Sequence, residues 1–185
     1  MNKRFKIVWI TVLLLMAGAQ TLAAEPKLKV HGIFRSNMVL QRDKPITIWG
    51  WAPAGTDVKV SLGELTATGK ATGEGRWQVT FKAQGANAKG QMIIVQAGDQ
   101  TIKMDNILIG DIWVMNGQSN MAFALKAVYQ APFEASMAHL PLMRQIRINS
   151  YAESEHIETD LEDKDLNGKD TDKNWKVITP ETALD

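Results

Sequence analysis

The residue whose type and setting are suited to chemistry is the serine in Asn116-Gly117-Gln118-Ser119-Asn120-Met121. It stands between an apolar, strand-like run, Ile107 to Met115, and a helix-like one, Met121 to Val128. A sharp strand-to-helix turn exposes a serine Oγ, while the helix N-terminus brings free N–H groups and the positive end of a dipole. Such a turn suits attack on an ester carbonyl, with Ser119 as nucleophile and its backbone N–H as one donor to the oxyanion. The plain alternative is a helix-capping serine.

A serine hydroxyl needs a base to become nucleophilic, and the chain has three histidines, His31, His139 and His156. None has an aspartate three residues before it, although Glu153 stands at that offset from His156. Nothing aims any of them at Ser119, so each reads as a structural or surface histidine. Asp111 and Asn120 lie near the serine in sequence and read as support for the turn, since adjacency along the chain is not triad geometry. Asp163, Asp165, Asn167 and Gly168 match the first half of an EF-hand calcium loop, but Asn174 occupies the twelfth position, where a glutamate is expected. A solvated acidic loop is the default there and calcium the alternative; no cofactor or metal is called for.

These residues must be held by elements, and the first stretch to set aside is 1–24. Lys3, Arg4 and Lys6 precede the apolar run Ile7 to Ala17, and Ala23-Ala24 closes it, which is the layout of a cleaved secretory signal. The apolar run is too short to span a bilayer readily, so export to the periplasm or beyond is expected, with no membrane attachment after cleavage. Removing the leader leaves 18 basic against 20 acidic side chains, a net charge of −2, which argues against nucleic acid as a partner. Of these, residues 153–185 carry 4 basic and 11 acidic groups, the mark of a solvated stretch. With no cysteine anywhere, stability must come from an apolar core and chemistry from serine, histidine or carboxylates.

Residues 25–105 read as short strands broken by turns. Val58, Val60 and Leu62 share one face by alternation, as do Trp77, Val79 and Phe81; Met92 to Val95 and Gln100 to Met104 continue the series across Ala97-Gly98-Asp99. An antiparallel β-sandwich of jelly-roll or immunoglobulin-like type is expected there. Trp49, Trp51 and Trp77 read as core or edge fillers, with a sugar-stacking platform as the alternative. From Asn106 the texture changes, and Ile107 to Met115 looks like a strand buried on both faces. With a weak helix at Phe133 to His139 and a strand at Met143 to Ile148, residues 106–185 read as the beginning of a parallel α/β layer.

Three stretches also carry a family resemblance: Phe34-Arg35-Ser36-Asn37-Met38-Val39-Leu40-Gln41-Arg42 with Trp49-Gly50-Trp51-Ala52; Gly110-Asp111-Ile112-Trp113 leading into Asn116 to Met121; and Trp175-Lys176-Val177 with Thr179-Pro180-Glu181-Thr182-Ala183. The chain resembles the front part of sialate O-acetylesterase-like proteins of the SGNH or GDSL hydrolase superfamily. The resemblance implies a β-sandwich followed by the first part of a three-layer α/β/α hydrolase domain. It implies Ser119 as nucleophile, an O-acetylated sugar as substrate, and a later Asp-x-x-His pair and oxyanion-hole glycine and asparagine that are not identifiable here. The expectation is an exported esterase fragment lacking the catalytic histidine and aspartate. Its rival is a non-catalytic carbohydrate-binding or structural β-sandwich module, and the oligomeric state is left open.

Overall fold

The computed structural model describes residues 27–121, 123–148 and 175–184. The leader, His156 and the Asp163 to Asn174 loop lie outside the described residues. Among the described residues ten strands are formed: β1 Lys29–Val30, β2 Val39–Gln41, β3 Ile46–Trp51, β4 Asp57–Leu62, β5 Leu65–Lys70, β6 Arg76–Phe81, β7 Asn87–Ala97, β8 Gln100–Gly110, β9 Leu140–Gln145 and β10 Lys176–Ile178. Helix is scarce among the described residues: a 3-10 turn at Leu125–Ala127 and one short helix, α1, Ala131–Ser136.

The alternation of the sequence becomes burial. Val58, Val60 and Leu62 of β4 and Trp77, Val79 and Phe81 of β6 are buried, while the residues between them are half-buried or exposed. The strands form a three-stranded sheet, β1-β3-β6, and a curled five-stranded sheet, β2-β8-β7-β4-β5. Their inner faces share one core, in which Ile48, Leu62, Ile93, Ile107, Val58, Val60 and Val95 are fully enclosed. The β7–β8 hairpin pairs Ala97 with Gln100, so Gly98-Asp99 is a two-residue turn. Gly98 takes φ +57°, the left-handed conformation such hairpin turns require.

The expected fold class needs correction, because no three-layer α/β/α arrangement is formed among the described residues. The run beginning at Ile107 is not the first strand of a new parallel layer: it is the second half of β8, which runs unbroken from Gln100 to Gly110. There it pairs antiparallel with β7 and parallel with β2, in register Val39 to Leu108 and Gln41 to Gly110, making the sheet mixed. Ile107, Leu108 and Ile109 are all buried, as expected of a strand covered on both faces; Ile107 and Ile109 belong to the β core, whereas Leu108, on the alternate face, lies outside that cluster. A doubly buried strand has the same apolar string in either setting.

The chain then leaves the sheet at Asp111, and Trp113 is 84% exposed. The helix expected over Met121 to Val128 is reduced to the 3-10 turn, because its apolar side chains Met121, Phe123 and Val128 find no face to pack on and are exposed. A parallel layer would also set β9 beside β8, whereas β9 pairs antiparallel with β10 as a separate ribbon. Among the described residues no helix is long and apolar enough to cross a membrane.

Candidate active site

The candidate site grows from the end of β8. The parallel pairing with β2 carries Gln41 and Arg42 to the point where the chain turns away, and both hold it. The Arg42 backbone N–H donates to the Gly110 carbonyl at 2.8 Å. The Ile112 N–H donates to Gln41 Oε1 at 2.9 Å. Arg42 Nε meets Asp111 Oδ1 at 2.8 Å, and Arg42 Nη1 reaches Asp43 at 3.3 Å. The hydrogen bond to Asp111, followed by the charges of Asp111 and Asp43, raises the guanidinium pKa above its ordinary value. The first two stretches of the resemblance, 69 residues apart, are thus clasped together in space.

This clasp was missed at the level of sequence, because nothing along the chain points Gln41 to Ile112 or Arg42 to Asp111. Parallel strand registry was the absent signal. Gln41→Ala is expected to free the Ile112 amide, so that hydrogen–deuterium exchange at 112 quickens while amides within β4 keep their protection.

Ser119 lies beyond the clasp in the turn Gln118 to Met121, closed by a 2.9 Å bond from the Met121 N–H to the Gln118 carbonyl. Ser119 and Asn120 are both exposed. Beside the turn runs an open groove whose walls include Trp113, Met115, Asn116, Phe123, Met143 and Arg144; Ser119 is not part of its wall. Arg144 folds back on its own strand, donating to the carbonyls of Pro141 and Met143. Partial burial lowers its pKa. The walls mix apolar and polar groups and stand open to solvent.

The structure does not bring a histidine to Ser119. His31 is buried in an aromatic cluster, with its ring centroid 6.1 Å from Trp51 and 5.2 Å from Trp49, and its Nδ1 accepts the Ile33 N–H at 3.3 Å. His139 is exposed just after α1. Asp111 is spent on Arg42. No hydrogen bond joins Ser119 to a carboxylate or an imidazole among the described residues.

The third stretch of the resemblance is tied back to the first, since Trp175 Nε1 donates to the Ile33 carbonyl at 3.1 Å. The turn after β10 is closed by the Thr182 hydroxyl on the Val177 carbonyl at 2.5 Å. Beside it the Thr179 hydroxyl donates to Glu181 at 2.6 Å, and this bond, followed by one from a backbone N–H, lowers the glutamate pKa against the opposing effect of desolvation.

No protein-family model matches the chain. It is 28% identical over 139 residues to the sialate O-acetylesterase of Rattus norvegicus and 28% identical over 138 residues to that of Homo sapiens. These matches cover 70% and 69% of this chain but 26% of each relative, so the chain spans about a quarter of their length. Among solved structures, a carbohydrate acetylesterase from Xanthomonas citri is similar with a TM-score of 0.73 and 28% identity, over 84% of this chain and 33% of that one. Sequence and structure neighbours alike therefore support an esterase family for this chain.

Proposed function

We propose that this chain supplies the β core and the nucleophile turn of an exported carbohydrate esterase that removes O-acetyl groups from sugars, by SGNH-type serine chemistry. The observation that carries the reading is the clasp of Gln41 and Arg42 on Ile112 and Asp111, which fixes the chain seven residues before Ser119 in a protein that resembles acetylesterases. In this scheme Ser119 Oγ attacks the acetyl carbonyl, and its proton passes to a histidine. The Ser119 N–H donates to the oxyanion, and the sugar hydroxyl leaves with that proton. Water then attacks the acetyl-serine and releases acetate.

The histidine and its aspartate are assigned to polypeptide beyond the described residues. Two facts support this: relatives about three times as long, and the exposed apolar run Trp113-Val114-Met115, which has the character of a surface awaiting cover. The basic and apolar layout of residues 1–24 supports export to the periplasm or beyond.

The test is p-nitrophenyl acetate hydrolysis. The chain alone and its Ser119→Ala variant are expected to show the same background rate. A longer polypeptide that continues into an Asp-x-x-His sequence is expected to be active and to lose about a thousandfold or more on Ser119→Ala. Full activity in that longer variant would remove Ser119 from the mechanism. That no base is brought to Ser119 among the described residues favours a second reading, a non-catalytic carbohydrate-binding or structural module; an inactive longer polypeptide would establish it.

A further inference from the structure

Just before Ser119 the chain reads Asn116-Gly117. An asparagine carries its side-chain carbonyl within reach of the next residue's main-chain nitrogen, a built-in proximity that becomes a reaction when that nitrogen is free and unobstructed. Both conditions are met here. Residues 111–117 run without regular structure beyond β8, and Asn116 and Gly117 are exposed. Among the described residues neither the Asn116 amide nor the Gly117 N–H makes a hydrogen bond. Gly117 has no Cβ to obstruct ring closure and leaves the backbone free to turn into it.

The other described asparagines are held differently. Asn106 Nδ2 donates to Asn37 Oδ1 at 2.7 Å, tying those two side chains to each other. Asn87 Oδ1 accepts the Lys89 N–H at 2.9 Å. Asn120 is exposed like Asn116, but the nitrogen that would attack it belongs to Met121, which bears a side chain and whose N–H donates to the Gln118 carbonyl at 2.9 Å.

We propose that Asn116 is a site of spontaneous covalent modification, at which the folded chain deamidates through a succinimide to aspartate and isoaspartate, with water as the co-reactant. The Gly117 nitrogen loses its proton and bonds to Asn116 Cγ; the Cγ–Nδ2 bond breaks, and ammonia leaves carrying a proton equivalent to the one lost. Water then adds to one of the two ring carbonyls and breaks its bond to the Gly117 nitrogen. Opening at Cγ leaves an aspartate. Opening at the main-chain carbonyl leaves an isoaspartate, whose backbone runs through the side-chain carbon and is longer by one methylene. One water is consumed and one ammonia released, with no change of oxidation state.

Both products add a carboxylate just before the serine turn, and the isoaspartyl link also displaces Gly117. That residue is closely packed: a Cβ added to it would fall inside the contact radius of Met121 Cγ and lie 3.1 Å from Met121 Cβ. A longer backbone at Asn116 therefore pushes Gly117 against Met121 and distorts the turn from Gln118 to Met121 that presents Ser119. The chemistry belongs to Asn116 and Gly117 alone and holds whether or not Ser119 is a nucleophile.

Tryptic mapping of the full chain, after incubation for days in mildly alkaline buffer, tests this. Cleavage after Lys103 and Lys126 isolates residues 104–126 with Asn106, Asn116 and Asn120 together, while a second Asn-Gly pair, Asn167-Gly168, falls in a separate peptide. Asn116 is expected to convert to paired aspartate and isoaspartate products, placed by fragmentation, while Asn106 and Asn120 stay intact. The folded chain is expected to react within about tenfold of the rate of chain unfolded in guanidinium chloride, since no protecting structure has to open first. Gly117→Ala is expected to slow conversion about tenfold or more in both the folded and the unfolded chain, so the comparison does not depend on the variant folding. Protection of Asn116 beyond that margin in the folded chain, aspartate without isoaspartate, conversion of Asn120 as fast as Asn116, or a Gly117→Ala variant that reacts like the parent would each overturn the proposal.

Discussion

Replacing Ile107 by alanine is expected to lower the stability of the folded chain by about 2–5 kcal/mol, the range for truncating a fully enclosed aliphatic side chain. Ile107 has no solvent exposure and belongs to the same core as Val60, Leu62, Ile93 and Val95. Its strand is held on one side by β7 and on the other by β2, so the backbone has little room to collapse into the space left behind. The thermal transition should fall by on the order of 10 °C or more. A differential scan of parent and variant checks this, and because the residue lies in the run first read as the start of a separate layer, it also tests the corrected fold. Were Ile107 outside the β core, the main transition would stay within a degree or two of the parent.

Gly50→Ala is the second large effect. The Cβ added there would fall inside the contact radius of the Lys29 carbonyl oxygen, 2.8 Å from Val30 Cα and 2.9 Å from the Trp77 ring. Two of these three atoms are backbone, so no rotamer change relieves the clash. The variant must push β1 away from β3 and break the pairing of Lys29 with Trp51 and Val30 with Gly50. Leu28, buried at the edge of the core, should loosen with it. We expect about 1–3 kcal/mol or more of destabilisation, the usual range for overpacking, and a new protease-sensitive site near residues 28–31. Gly73→Ala is the control, since a Cβ at Gly73 meets nothing within 4 Å. Urea melts of the two variants that coincided would show that the approach of β1 to β3 is not as close as described.

Several features were legible in the sequence because they rest on local rules. Period-two alternation placed Val58, Val60 and Leu62 on one face, and Trp77, Val79 and Phe81 on another, and each set is buried. The Ala97-Gly98-Asp99 stretch announced a hairpin through the glycine that its backbone needs. The residues around Ser119 announced a turn, and a turn is formed at Gln118 to Met121. The helix expected to follow was not legible, because a short amphipathic segment becomes helical only when something covers its apolar side.

By itself, then, the sequence determined which residues share a face, where the chain turns and which serine stands at a turn. Only the tertiary structure decided which face is inside, setting Trp77 in the core and Trp49 and Trp51 outside. It alone decided that Ile107 to Ile109 close a mixed β-sheet and do not open an α/β layer, that β9 takes β10 as its partner, and that Gln41 and Arg42 fix the chain seven residues before Ser119. The physical reason is one of range. Backbone stereochemistry and side-chain period act over a few residues, whereas the Arg42 to Asp111 contact spans 69 residues and exists only because the registry of the whole sheet lays β2 alongside β8.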